Sequence, residues 1–451
     1  MTTNNTQPAR GARDFLPDQI RKREYVIEVI RDVYERYGFE PLETPAFENI
    51  ETLLGKYGEE GNKLIFKILK RGEHEHTGEA DLALRYDLTV PLARVVAQYQ
   101  NDLPKFFKRY QIQPVWRADR PAKGRFREFY QCDIDAIGST SPVVEAEVLG
   151  AVSEVLTRLG FEDFVIRLND RRALTALLDC AGVPGRLHGD ALVALDKLDK
   201  IGVEGVEKEL IARGVDAEAT MACLRFFSGI SSEDTHRRTS LERLREFVER
   251  HQEGPAAVST LEEIIHLSDG TPAHGRIHID PSLARGLSYY TGAIMEVAVP
   301  ELAGSLGGGG RYDGLIGMFL GRDVPACGFS LGLERILVVM AERSMFPASV
   351  SRGAADVMVT VWNDEARADS IQLAADLRHA GLRVDVYPEA DRLGKQFKYA
   401  AARNVPFVAI VGDDERANHQ VAIKDIRSGE QTTVARAETA AFITNTVNNK
   451  R

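Results

Sequence analysis

The sequence predicts an α+β fold: an antiparallel sheet flanked by helices, a helical insertion within it, and a small α/β domain after it. Three observations carry this prediction. Extended runs at Leu82 to Tyr86, Lys105 to Trp116 and Phe126 to Ile137 read as strands of one antiparallel sheet. From about Arg171 to His266 the chain turns to Leu, Ala, Glu and Arg at helical period. After the linker-like MFPASVSRGAA, the segments DVMVTVW, Ser370 to His379, RVDVYP, Arg392 to Arg403 and VPFVAIVG alternate β-α-β-α-β, the pattern of a small mixed or parallel sheet with its own core. The expected boundaries are 1–168 and 269–346 for the two parts of the first domain, 169–268 for the insertion and 353–451 for the last domain.

From Asp18 to Tyr37 the residues Ile20, Val26, Ile27, Ile30, Val33 and Tyr34 recur at helical spacing, with Pro17 before them and Gly38 after. In FEPLETPAFE, Pro41 and Pro45 favour extended chain. A second helix starts at Ser141, an N-cap residue followed by Pro142, and runs to Gly160. Short strands and glycines return from Gly275 to Gly328, and a helix follows from Leu331 to Arg343.

At 451 residues with 44% hydrophobic content, the chain can fill a core in each of two or three domains. No run of about eighteen apolar residues suggests a membrane span, and MTTNNTQPARGARDF lacks the apolar stretch of a secretory signal, so the expected location is cytoplasmic. Cys132, Cys180, Cys223 and Cys327 are scattered, which suggests reduced thiols and neither a disulfide framework nor a zinc site. A net charge of −10 argues against non-specific coating of nucleic acid. Locally the balance reverses: Lys105, Lys108, Arg109, Arg117, Arg120, Lys123, Arg125 and Arg127 are opposed by Asp119.

These cations belong to a hairpin, Phe107 to Gly138, whose loop carries the turn formers Pro121 and Gly124. Such a run is either a solvated face or a ligand site. Gln131, Asp133 and Asp135 alternate on the returning strand and so share one face, which is costly to bury unless it binds something. Arg85, Asp87 and Thr89 stand at period two before a helix that opens near Pro91, as a strand edge or a second binding face. PSLARGLSYYTG sets Arg285, Tyr289 and Tyr290 among small and apolar residues, where aromatics serve core or pocket and the arginine needs an anionic partner. The glycines of GSLGGGGRYDGL permit close approach to a ligand or make a flexible loop. Glu334 and Arg335 open a helix, as a phosphate site or a surface ion pair. His74 and His76, in one polar loop, read as solvated rather than metal ligands.

Taken in order, these segments resemble class II aminoacyl-tRNA synthetases, and specifically the histidyl-tRNA synthetase family, over nearly the whole chain. TPAFE, VWRADRP with GRFREFYQ, and GFSLGLER are class-wide; LARGLSYYTG and GGGGRYDGL are histidine-specific. The resemblance implies a class II catalytic domain with an antiparallel sheet, an obligate homodimer, a helical insertion and a C-terminal α/β anticodon-binding domain. It implies ATP, with Mg²⁺ associated with that substrate, and L-histidine and tRNA(His) as partners.

By the same resemblance, Arg117 binds the α-phosphate of ATP, Arg335 the γ-phosphate, and Arg125 makes a further ATP or tRNA contact, while Arg285 is the catalytic arginine at the reacting centre. Asp87, Thr89 and Gln131 hold the α-amino and carboxylate region of histidine. Asp135 and Tyr290 read the imidazole, with Asp133 and Tyr289 close by and Tyr312 lining the pocket. Lys123 and Arg127 meet the acceptor end of tRNA, and Arg392, Lys395, Lys398 and Arg403 form a cationic helix face toward the anticodon stem or a solvated one. Ser288 departs from the family pattern, which has Asp there. A rival reading is a catalytically inert histidine-sensing regulatory paralogue; such proteins lose the ATP-binding arginines or the anticodon domain, and this chain keeps both.

Overall fold

The computed structural model describes residues 6–72, 77–228, 237–284, 289–300, 302, 304–351 and 353–449. The chain divides into two compact units, Met1–Met345 and Phe346–Arg451.

In the first unit the strands are β1 (Glu40–Pro41), β2 (Phe47–Asn49), β3 (Lys67–Leu69), β4 (Ala80–Leu84), β5 (Phe107–Trp116), β6 (Glu128–Ile137), β7 (Val165–Asp170), β8 (Ile277–Ile279), β9 (Ala293–Ala298), β10 (Gly307–Arg311) and β11 (Ala326–Gly332). Eight of them form one sheet in the order β1-β5-β6-β11-β10-β9-β7-β8. The inner pairings are antiparallel, and the edge strands β1 and β8 run parallel to their neighbours.

One expected strand sits elsewhere. The run at Leu82 to Tyr86 is β4, which ends at Leu84 and belongs to a separate sheet, β2-β4-β3. Pro41 and Pro45 cannot donate to a ladder, so the chain leaves the large sheet after β1 and β2 pairs with β4. Arg85 locks the junction: its guanidinium donates to the carbonyls of Thr44 (2.6 Å), Pro45 (3.1 Å) and Pro114 (2.9 Å) and to Gln113 Oε1 (2.9 Å).

Helix Pro17–Arg36 buries Arg23, Val26, Ile30, Val33 and Tyr34, one stripe at three- and four-residue spacing. Gly38 ends it with φ +74°, a left-handed turn in which Phe39 N–H reaches Tyr34 O at 3.1 Å. The Tyr34 hydroxyl donates to the carbonyl of Cys132 (3.2 Å) and ties the helix to β6. Helix Val143–Arg158 starts two residues after Ser141, whose carbonyl accepts from Val144 N–H at 3.0 Å. Its Glu145 receives two hydrogen bonds from the buried guanidinium of Arg311 on β10, at 2.7 and 2.8 Å. Breaking a buried pair strands a charge, so Glu145→Gln should cost about 3–5 kcal/mol, read as an earlier first-unit transition in urea unfolding of the full chain. An unchanged midpoint would refute this.

Six helices between residues 171 and 268, among those described, lie in the same compact unit as the sheet, and the last, Gly254–Ser268, packs on Val143–Arg158 and β7.

The second unit holds β12 (Val357–Val359), β13 (Val384–Val386), β14 (Phe407–Ile410), β15 (Gln420–Asp425) and β16 (Gln431–Ala435) in the order β13-β12-β14-β15-β16. The first three are parallel, joined by crossover helices Arg367–His379 and Leu393–Ala402; β15 and β16 add an antiparallel hairpin beyond the expected pattern. Alternation along the strands fills one face with Val357, Val359, Leu373 and Phe407 and the other with Met358, Ala400 and Val408.

Candidate active site

Along β6, Gln131, Asp133 and Asp135 share one face, and Cys132, Ile134 and Ala136 the other. Register extends this face sideways into two rows: Gln111, Asp133, Ser330, Gly308 and Glu296, and beside it Arg109, Asp135, Gly328 and Gly310. The glycine run is therefore a sheet strand. A Cβ on Gly328 would overlap the Asp135 carboxylate, and one on Gly310 would sit 2.9 Å from the Tyr290 ring. Absent side chains open the floor on which carboxylates and phenols converge.

Above this floor lies a cavity of about 480 Å³. Of the residues expected at a site, Asp87, Thr89, Arg117, Arg125, Gln131, Asp133, Asp135, Tyr289, Tyr290, Tyr312 and Arg335 all line it. Arg285 and Ser288 lie outside the described residues, as do His74 and His76.

The acidic set is deeply buried. The Tyr312 hydroxyl donates to Asp135 Oδ1, and Arg109 Nη2 stands 2.8 Å from Asp135 Oδ2 and 3.9 Å from Asp133 Oδ2. Burial, reinforced by the charge of Asp135 and opposed by Arg109, pushes the Asp133 carboxyl up to about 7. Burial also raises Asp135 and Asp87. A carboxyl raised from 3.8 to about 7 keeps its proton in the folded chain through a range in which the unfolded chain has lost it. Asp133 therefore subtracts stability as pH rises across that window, a cost that a ligand donor would offset.

Asp87, Thr89 and Arg85 do not share a strand face, because β4 stops at Leu84. Asp87 instead accepts from Val90 N–H (3.1 Å) at the start of helix Thr89–Gln98 and from the Tyr57 hydroxyl (2.9 Å). Thr89 opens that helix and hydrogen-bonds Tyr289.

The cationic set is partly pinned by the fold. Arg117 gives its Nε to the carbonyl of Tyr86 (3.0 Å) and lies over the rings of Tyr86 and Phe129, at 4.3 and 5.2 Å. Arg335, in the first turn of helix Leu333–Glu342, donates to the carbonyl of Ser305. Arg125, about half exposed, stands 3.8 Å from Asp119. Glu334 is no surface ion pair: buried, it accepts from Arg23 (2.8 Å) and from Tyr130 N–H (2.9 Å), bracing its helix against the first helix and β6.

The remaining expected residues lie outside the cavity lining. Lys123 pairs with Glu342 at 2.6 Å, and Arg127 donates to the carbonyl of Asp119 (3.1 Å) while its N–H holds Gly11 O (2.8 Å). In the second unit Arg392 precedes helix Leu393–Ala402, Lys395 pairs with Asp391 at 2.6 Å, Lys398 is exposed, and Arg403 holds Asp385 at 2.6 Å. Two residues of the site were missed. Tyr57 has no motif and reaches Asp87 only through the fold. Arg109 was legible, since it faces Asp135 once the hairpin is put in register.

A largely antiparallel sheet backed by helices carries a floor of carboxylates and tyrosines with arginines over it, the arrangement expected from the resemblance to class II aminoacyl-tRNA synthetases. Comparison with known proteins narrows the class. Residues 11–336 match the family described as histidyl-tRNA synthetase, and residues 356–446 match the anticodon binding domain. The histidine–tRNA ligase of Porphyromonas gingivalis is 43% identical over 94% of this chain and 95% of its own length. That of Christiangramia forsetii is 41% identical over 94% and 96%. The crystal structure of histidyl-tRNA synthetase from Nostoc sp. PCC 7120 superposes with a TM-score of 0.80 at 34% identity, covering 98% of this chain and 99% of that one. The chain belongs to the histidyl-tRNA synthetase family. No helix among the described residues is long and apolar enough to cross a membrane.

Proposed function

We propose that this cavity is where the chain joins L-histidine to ATP, releasing pyrophosphate, and then passes the histidyl group to the 3′ end of tRNA(His). The observation that carries the reading is the convergence of Asp87, Gln131, Asp133, Asp135, five tyrosines, Arg117, Arg125 and Arg335 on one space.

The histidine carboxylate is already ionised, so its attack on the α-phosphorus needs no general base, only positioning and stabilisation of charge. A carboxylate oxygen forms the new bond to phosphorus as the bond to the pyrophosphate oxygen breaks. The 3′-terminal ribose hydroxyl then attacks the adenylate carbonyl, and AMP leaves. Arg117 holds the α-phosphate, Arg335 the γ-phosphate and Arg125 a further oxygen, with Arg285 completing the set at the reacting centre. Mg²⁺ carried in on the triphosphate supplies further charge neutralisation. Asp119 and Glu296, carboxylates of the cavity lining, suit an ion that takes one or two protein oxygens beside phosphate.

Asp87 Oδ2 and Gln131 Oε1 are buried acceptors with no hydrogen-bond partner among the described residues, and an α-ammonium supplies the donors they lack. Thr89 completes that subsite. Asp135 and Tyr290 read the imidazole, beside Asp133, Tyr289 and Tyr312. Histidine-dependent ATP–pyrophosphate exchange tests the reading. Absent exchange hands the chain to the inert histidine-sensing alternative, and faster exchange with another amino acid overturns the specificity.

For tRNA, the loop bearing Lys123 and Arg127 meets the acceptor end, and Arg392, Lys395 and Lys398 face the anticodon stem. In this reading residues 1–168 and 269–346 do the chemistry, 169–268 form the insertion and 353–451 read the anticodon. Each unit has its own core, so removing residues 346–451 should leave exchange intact while tRNA charging falls on the order of 100-fold through lost bivalent engagement. Unchanged charging would overturn this division. The same reading makes the chain a cytoplasmic homodimer.

A further inference from the structure

Among the described arginines of the first unit, Arg85 and Arg109 expose 1% or less of their surface, and they are used differently. Arg85 spends its donors on backbone carbonyls and one amide, as a structural brace does. Arg109, fully buried on β5, instead turns Nη2 toward two carboxylates, at 2.8 Å from Asp135 and 3.9 Å from Asp133; that Nη2 also reaches the carbonyl of Leu88 at 3.4 Å. Among the described residues, neither its Nε nor its Nη1 has a hydrogen-bond partner. A buried guanidinium so sparsely satisfied is a poor way to hold two strands together, since an apolar pair would do that at lower cost.

Its position explains what it does hold. Asp133 and Asp135 are two apart on β6 and share a face, so their charges repel and one carboxyl holds its proton longer than the other; a cation set closer to one of them decides which is ionised. A protonated carboxyl is no longer a dedicated acceptor for an N–H. Arg109 lies directly across the hairpin from Asp135 and is nearer to it than to Asp133.

We propose that Arg109 is a positioning residue for imidazole recognition: it keeps Asp135 ionised and oriented, with Tyr312 on Oδ1, so that the carboxylate accepts the imidazole N–H of the substrate. This rests on the histidine reading above. The titratable and charged groups that couple to the two aspartates are Arg109 from β5, Tyr312 after β10 and Asp87, together with Tyr34 from the first helix, Cys132 on β6 and Cys327 on β11 from the other side of the sheet. Burial keeps the tyrosines and thiols protonated through the neutral range, and Arg109 alone of this group is cationic.

The test is ATP–pyrophosphate exchange across pH with Arg109→Gln and Arg109→Lys, each checked for folding by its thermal transition. Arg109→Gln should raise the KM for histidine about 10- to 100-fold and leave that for ATP within about threefold, the range for one charged hydrogen bond. Loss of the cation raises the pKa of Asp135, so histidine affinity should recover as pH rises, shifting the pH profile of kcat/KM for histidine to the alkaline side of wild type. Arg109→Lys retains the charge, so its profile should stay near wild type with an intermediate KM. Equal losses toward both substrates with an unmoved pH profile would make Arg109 a structural residue and overturn the proposal. If Arg109→Gln does not fold, the lysine variant decides: a histidine KM equal to wild type, or losses shared with ATP, overturns it. Wild-type protein showing no histidine-dependent exchange would sink the histidine reading itself, a result separate from any outcome with the variants.

Discussion

Asp135→Asn should lower kcat/KM for histidine in the exchange reaction by about 10³-fold or more while leaving the KM for ATP within about threefold. The substitution keeps the volume of a fully enclosed side chain and removes its charge. Three losses then coincide. The hydroxyl of Tyr312 and the guanidinium of Arg109, 2.8 Å away, both lose their anionic partner. The amide nitrogen can also turn a donor toward the imidazole N–H it should accept. A hydrogen bond to a charged group contributes about 1.5–3 kcal/mol, and an uncompensated buried cation adds a penalty of its own, so a thousandfold effect is within reach of one atom pair. Because the same change destabilises the fold, rates should be taken well below the melting transition. Retained histidine kcat/KM would remove Asp135 from the recognition of the ring.

Arg117→Ala should reduce the rate of adenylate formation about 10²- to 10³-fold, the usual cost of deleting one preorganised donor at a centre of developing charge. Of its nitrogens, Nε is fixed on the Tyr86 carbonyl, and the plane is held over Tyr86 and Phe129. This leaves the two Nη groups positioned before any substrate arrives. Rapid-quench measurement of the first turnover at saturating ATP isolates the step. Arg117→Lys should recover only part of the rate, because an ammonium lacks the planar fork that meets two phosphate oxygens. A defect seen solely in the KM for ATP would assign Arg117 to ground-state binding instead.

Much of this site could be read before the structure because its parts obey short periods. Gln131, Asp133 and Asp135 had to share a face, and the helix of Val26, Ile30 and Val33 had to cover something apolar. Errors arose where a residue left its period. Arg85 and Asp87 looked like one strand face, yet β4 ends between Leu84 and Arg85, after which Asp87 caps a helix and Arg85 turns inward. The glycine run carried two readings, loop or close approach, and only pairing with β9 and β11 made it a strand. In the last domain β15 and β16 lie beyond the β-α-β-α-β pattern, since QVAIKD and QTTVA are short and half polar and gain their order by pairing with β14 and with each other.

The sequence by itself determined the fold class and the residue types that gather at the cavity: carboxylates, phenols and guanidinium groups. Tertiary structure decided which of them meet. Asp87, Asp135, Tyr289, Tyr312 and Arg335 come from five separate segments, and Tyr57 joined them with no motif to announce it. The reason is physical: side-chain period tells which side of a strand a residue faces, but which strand lies beside it is set by register and packing across hundreds of residues.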